Sequence, residues 1–151
     1  MPQDHENFMK VALEEAEKCK AEGNVAVGSI VVRGETIIAR GRNLTTSTSD
    51  LTAHAETVAL REAGAAEGQV DFSGCTLYTT FEPCPMCCGA IMIGGISTLV
   101  MGGRLGGRSE GAARSWGDYS VESLLALAKV EDNLNVVIGV LTKECNDMIA
   151  G

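Results

Sequence analysis

The sequence predicts an α/β layered domain with helices packed against one β-sheet. Three observations carry that expectation. Segments with a helical apolar period alternate with β-rich runs along the chain. A glycine corner at Arg33-Gly34 joins two neighbouring β-rich runs in the manner of a hairpin. A length of 151 residues, 45% of them hydrophobic, suffices for one packed core, so a single domain over residues 1–151 is expected.

The elements follow in order. From Asp4 to about Glu22, the residues Phe8, Val11, Ala12, Leu13, Ala16 and Cys19 recur on one side of a helix, and Gly23 ends it. Val25 to Val32 and Glu35 to Arg40 form the first two strands. Asn43 to Leu51 is a polar loop rich in Thr and Ser, followed by a helix from Ala53 to Ala63 that closes near Gly64. Thr76 to Phe81 is the next strand. It delivers the chain to a helix from about Cys84 to Ile93, which breaks at Gly94-Gly95, and Ile96 to Met101 returns as a strand. The stretch from Gly102 to Gly117 carries Gly103, Gly106, Gly107 and Gly111 together with Arg104, Arg108 and Arg114. A connection this long is more often functional than a plain link. Val121 to Val130 is predicted helical, Leu134 to Val140 a strand, and Lys143 to Ile149 a short closing helix.

Composition narrows the function classes. The formal charge of −8 argues against a broad nucleic-acid footprint, because polyanions are normally met by clustered Lys and Arg. No run approaches the roughly 18 apolar residues of a membrane span. Met1 to Lys10 lacks the basic start and apolar block of a signal peptide. A cytoplasmic protein without a membrane partner is expected. Six cysteines in such a chain point to reduced thiols and metal rather than to disulfides.

The chemistry concentrates in two stretches. Thr52-Ala53-His54-Ala55-Glu56 contains H-x-E, and Thr80 to Cys88 contains Glu82-Pro83-Cys84-Pro85-Met86-Cys87. Together they spell the H-x-E and P-C-x-x-C signature of zinc-dependent nucleobase deaminases. A catalytic zinc takes three protein ligands and leaves one position to water. His54, Cys84 and Cys87 supply the three. The cysteines stand at i and i+3 near a helix start, where the positive helix end favours the thiolate. Glu56, two residues past a ligand, is expected outside the metal shell, carrying a proton from water to the ring and then to the leaving amine. The two side chains can converge only if His54 lies in the first helical turn and both lean toward the helix end.

Plainer readings compete. Cys88, Cys75, Cys19 or Cys145 could close the site as a structural zinc centre, but such a centre has no use for Glu56. A redox C-x-x-C leaves His54 and Glu56 unexplained. Cys88 is expected in the core, and His5 solvated near the terminus.

Through these motifs, the layout from Val25 to about Met101 resembles the cytidine deaminase-like superfamily, in the branch of guanine, cytosine and tRNA adenosine deaminases. Its nearest look is to guanine deaminases, in Thr45-Thr46-Ser47 through Asp50 and in the two motifs. The resemblance implies a three-layer fold with a central mixed five-stranded sheet, one Zn2+ per chain on His54, Cys84 and Cys87, and a homodimer. It places Asn43 and the Ala55 backbone N–H on the substrate base. Glu82 is counted among the substrate contacts, as is Trp116, on a lid formed by the loop from Gly102 to Gly117. Packing of Trp116 in the core is the alternative. The tail from Thr142 to Gly151 holds one lysine against Glu144 and Asp147, whereas the tRNA enzymes of this branch carry a basic C-terminal helix. The expectation is therefore a deaminase of a free nucleobase or related aminated heterocycle, guanine-type or cytosine-type, that releases ammonia, with tRNA set aside as a partner. The alternative is a tRNA adenosine-to-inosine deaminase that holds phosphates with Arg104, Arg108 and Arg114.

Overall fold

The structure, a computed structural model, describes residues 4–105 and 116–151. Its elements run α1 (His5–Ala21), β1 (Gly28–Arg33), β2 (Thr36–Arg42), α2 (Thr45–Thr48), α3 (Ala55–Glu67), β3 (Cys75–Phe81), α4 (Pro85–Ile93), β4 (Thr98–Gly103), α5 (Val121–Leu127), β5 (Asn135–Val137) and α6 (Thr142–Ala150). The strands form one sheet of order β2-β1-β3-β4-β5. β1 is antiparallel to β2 and β3, whereas β3, β4 and β5 are parallel, so the sheet is mixed as expected.

Strand alternation sorts the apolar residues into two cores. Ile30, Val32, Tyr78 and Val100 point to Met9 and Ala12 of α1 and to Cys145 of α6. Their neighbours Val31, Leu77, Leu99 and Met101 point the other way, to Ala59 and Ala63 of α3, Ile91 of α4 and Leu125 of α5. Two apolar faces covered by helices make the three layers. No helix among the described residues is long and apolar enough to cross a membrane.

Helix α3 lies flush on the sheet because Gly41 lets it. A Cβ at Gly41 would stand 2.5 Å from the Ala55 carbonyl oxygen and 2.8 Å from the Ala59 Cα. Both obstacles are backbone and cannot swing aside.

Several boundaries differ from the sequence reading. α3 starts at Ala55 and runs through Gly64 to Glu67, because the left-handed residue that ends it is Gly68, at φ 65°. β1 begins at Gly28 rather than Val25, whose side chain is half-exposed. β4 begins at Thr98, since Ile96 is spent on the C-terminus of α4, its N–H donating to the Ile91 carbonyl at 3.3 Å. α5 stops at Leu127 before Lys129 turns left-handed at φ 59°. β5 pairs over three residues only. The polar loop contains the single turn α2, held by Asn24, whose Oδ1 accepts from the N–H groups of Thr46 and Ser47 at 2.9 and 3.0 Å.

Two side chains depart from the apolar reading of α1. Glu15 is buried on its inner side, facing Lys18, Arg40 and Arg42, and so ties α1 to β2. His5 is anchored rather than solvated, its Nδ1 lying 2.8 Å from the hydroxyl of the buried Tyr78.

Candidate metal centre and substrate pocket

The two motifs meet where α3 and α4 begin. His54 is the residue that caps α3, with extended backbone at ψ 157°, and Cys84 caps α4 with ψ 172°. Both ligands thus stand just before their helices, each aimed past a positive helix end. Pro85 occupies the first turn of α4, where its missing N–H is no loss. This corrects the expected geometry. His54 is outside the helix and Glu56 inside its first turn, so helical spacing no longer sets their relative direction.

A ring nitrogen of His54, Cys84 Sγ and Cys87 Sγ all lie within 4.8 Å of one another. The His54 Nδ1 to Cys84 Sγ distance is 3.6 Å. Bonds of about 2.3 Å to sulfur and 2.0–2.1 Å to nitrogen at a tetrahedral angle put those atoms about 3.6 Å apart, so the donor set fits zinc as it stands. Among the described residues no further Cys, His or carboxylate joins this group. Cys19, Cys75, Cys88 and Cys145 are buried in the cores instead, which removes the donors a closed structural site would need.

Charge is disposed to suit a cation. The Cys84 thiol is pulled down to about 4, chiefly by the hydrogen bond from Cys87, against the cost of burial, with His54 assisting. Cys87 is pushed up by the same bond and by burial. His54 is raised, first by its hydrogen bond to Cys84. A cation held by His54, Cys84 and Cys87 would take the place of these shared protons and favour both sulfurs as thiolates.

Glu56 is buried behind the donors, and desolvation raises its pKa against the opposing pull of Cys87 and His54. Thr79 Oγ1 sits 3.1 Å from Glu56 Oε1 and 3.0 Å from the Phe81 carbonyl oxygen. A hydroxyl has one proton and two lone pairs. It can donate to an ionised Glu56, or accept from a protonated Glu56 while donating to Phe81. The sequence reading missed Thr79, although a Thr in the middle of a fully buried strand is a signal, since a buried hydroxyl needs a partner.

In front of the donors opens a cavity of about 520 Å³, lined among others by Asn43, His54, Ala55, Glu56, Glu82, Leu105, Trp116 and Ile149. Asn43 is buried, and its amide is half used: Nδ2 donates to the Val25 carbonyl at 3.0 Å and Oδ1 accepts from the Thr45 N–H at 3.0 Å. One N–H and one lone pair remain. Turn former and ligand-facing amide are thus compatible roles for one residue. Ala55 opens α3, so its N–H belongs to the turn that has no partner within the helix. Trp116 is 38% exposed and lines the cavity, which sets aside the core alternative. Ile149 of α6 was not anticipated; its signal is the apolar side of a short amphipathic helix at the chain end.

Glu82 does not offer itself to a substrate. Its carboxylate accepts from Arg104 Nε at 2.8 Å, Arg104 Nη2 at 3.4 Å, Leu105 N–H at 3.0 Å and Val121 N–H at 2.8 Å. A carboxylate has about four lone-pair sites, and these four bonds fill them. Arg104 is likewise committed, to Glu82 and to Glu122 at 2.6 Å, rather than held ready for phosphate. Arg108 and Arg114 lie outside the described residues, with Gly106, Gly107 and Gly111 of that connection.

A family model described as the cytidine and deoxycytidylate deaminase zinc-binding region matches residues 2–103. A tRNA-specific adenosine deaminase of Bacillus subtilis (strain 168) is 37% identical over 152 residues, which span 99% of this chain and 88% of that one. The Haemophilus influenzae protein of the same name is also 37% identical, over 96% of this chain and 80% of its own length. A solved structure from a study of A-to-I editing by tRNA:A34 deaminases at the wobble position superposes at a TM-score of 0.77 with 32% identity. It covers 94% of this chain and 98% of that one. A guanine deaminase structure from Bacillus subtilis gives 0.65 with 27% identity, over 86% and 95% of the two chains. These relatives overturn the free-nucleobase expectation, guanine-type or cytosine-type, and with it the exclusion of tRNA. The shared zinc motif could not separate the branches, and the charge of the whole chain was the wrong measure of one site. With a zinc-binding donor set and a hydrolytic deaminase motif in one pocket, the chain belongs to the cytidine and deoxycytidylate deaminase zinc-binding family.

Proposed function

We propose that the protein deaminates adenosine to inosine in the anticodon loop of tRNA, at the wobble position. The observation that carries this reading is the 37% identity to a tRNA-specific adenosine deaminase across 99% of the chain. A relative named for adenine 34 of tRNA, from Arabidopsis thaliana, adds 46% identity over 97 residues, which are 64% of this chain but 7% of that one. The cavity supports the same direction. Its rim carries Val25, Leu51, Met86 and Trp116, all exposed apolar side chains of the kind on which splayed-out bases of a single-stranded loop can pack.

In this reading His54, Cys84 and Cys87 hold the zinc, which when bound acidifies a water in its open position and so supplies the nucleophile at neutral pH. Glu56 takes a proton from the water and gives it to N1 as oxygen adds at C6 of adenine. A second transfer through Glu56 protonates the amine, which leaves as ammonia, so that adenosine and water become inosine and ammonia. Thr79 holds the carboxyl in both protonation states. The spare N–H and lone pair of Asn43 and the N–H of Ala55 orient the base, and Trp116 stacks at its edge.

Incubation with tRNA carrying adenosine at the wobble position, read by inosine formation, beside free adenine, guanine and cytosine read by ammonia release, tests the assignment. Inosine on tRNA with no ammonia from the bases is expected. Turnover of a free base with none on tRNA would reverse it.

A further inference from the structure

We infer that Glu82 is a positioning residue that clasps both ends of the 105–116 connection to the metal-bearing turn, and thereby sets the substrate wall made by Leu105 and Trp116. The inference rests on the tRNA reading for its kinetic arm only. Glu82 is buried two residues before Cys84. Through Oε1 it holds the upstream end, accepting from Arg104 Nε at 2.8 Å and the Leu105 N–H at 3.0 Å. Through Oε2 it holds the downstream end, accepting from the Val121 N–H at 2.8 Å at the start of α5. Two further bonds repeat the pattern. The Glu82 N–H donates to the Gly103 carbonyl at 2.9 Å, and the Tyr119 hydroxyl donates to the Pro83 carbonyl at 2.6 Å.

Glu82 and Pro83, the two residues ahead of a metal ligand, therefore fasten the chain on either side of the connection. Leu105 and Trp116 lie between those fastenings, and both line the cavity. The wall is thus tied, on both sides, to the turn that carries the metal ligand Cys84. A carboxylate is the group this duty requires. Four donors converge on it, two of them on one charged guanidinium, and an amide in its place would turn an N–H2 toward N–H groups.

The tests are Glu82→Gln and, as a milder release, Arg104→Met, which removes the guanidinium while leaving both backbone donors on Glu82. Three quantities are read: zinc content, the emission of Trp116, the only tryptophan, and the separate kcat and KM on tRNA. For Glu82→Gln the expected result is one zinc per chain, shifted Trp116 emission in the free protein, and KM raised about tenfold or more with kcat within about twofold. Arg104→Met should raise KM less, in the same sense. Unchanged emission and KM in both variants, or a fall in kcat at constant KM, overturns the inference. Should Glu82→Gln fail to fold, Arg104→Met alone decides, and an unchanged KM there is fatal. A wild-type protein inactive on tRNA would defeat the proposed function, while the emission readout would still judge the clasp.

Discussion

The proposed function asks Glu56 for two proton transfers from one buried position. Burial pushes the carboxyl toward the neutral form, while Cys87, His54 and Thr79 hold it within reach of the ionised one. Glu56→Gln keeps the shape and removes the shuttle. We expect that variant to retain zinc and fold normally, with kcat lowered by about 10² to 10⁴, the usual contribution of a general acid–base group. Cys84→Ala should instead lose the metal, since it strips one of three donors. Elemental analysis alongside single-turnover kinetics separates the two; a Cys84→Ala protein at full zinc occupancy would disprove the shell. These residues were legible in the sequence because ligand chemistry dictates residue type and local spacing. Glu82 was misread for a related reason. Its place beside the motif is visible in the sequence, but the donors that fill its carboxylate come from Leu105 and Val121, far along the chain.

At the scale of elements, the position of α3 governs the site, for it carries Glu56 and is capped by His54. Gly41 allows the close approach on which that position depends. Gly41→Ala is expected to lower stability by at least about 1–3 kcal/mol, the range for forced overpacking, and to reduce deamination by tilting α3. Gly64→Ala, inside the same helix and with only the Gln69 carbonyl oxygen at 3.5 Å, should do the opposite. It should gain about 0.5–1 kcal/mol from helix propensity. Urea denaturation of both variants checks the contrast, and equal effects would refute it. The sequence showed the existence and order of the helices and strands through their apolar periods. It did not show their ends. Gly64 and Gly68 look alike on the page, and only the backbone reveals which one turns left-handed.

For the whole molecule, the apolar residues beside the Gly94-Gly95 corner, Ile91, Met92, Ile93 and Ile96, offer a surface for the homodimer expected from the family resemblance. Two of them, Ile91 and Ile96, are core residues at 0% and 2% exposure and so withdraw from it. Ile93 is 89% exposed, and with Met86 at the same side of α4 it leaves an apolar face on the outer layer. Light scattering should give a dimer at micromolar concentration and a monomer for Ile93→Lys; a monomeric wild type would reject the face. The formal charge of −8 had counted against nucleic acid, yet a net charge is a sum over the whole chain and does not describe any one surface. Much of the positive charge is spent internally, as at Arg33 with Glu67 and Arg42 with Glu22. The sheet order has one more result. Among the described residues it leaves β2 as a seven-residue edge strand, a template onto which another extended chain could zip. That rim ends in Arg40 and Arg42, tethered to Glu14, Glu15 and Glu22. Any intruding strand would have to bury or displace those guanidinium groups, so the ion pairs that hold α1 to the sheet also oppose pairing at its edge.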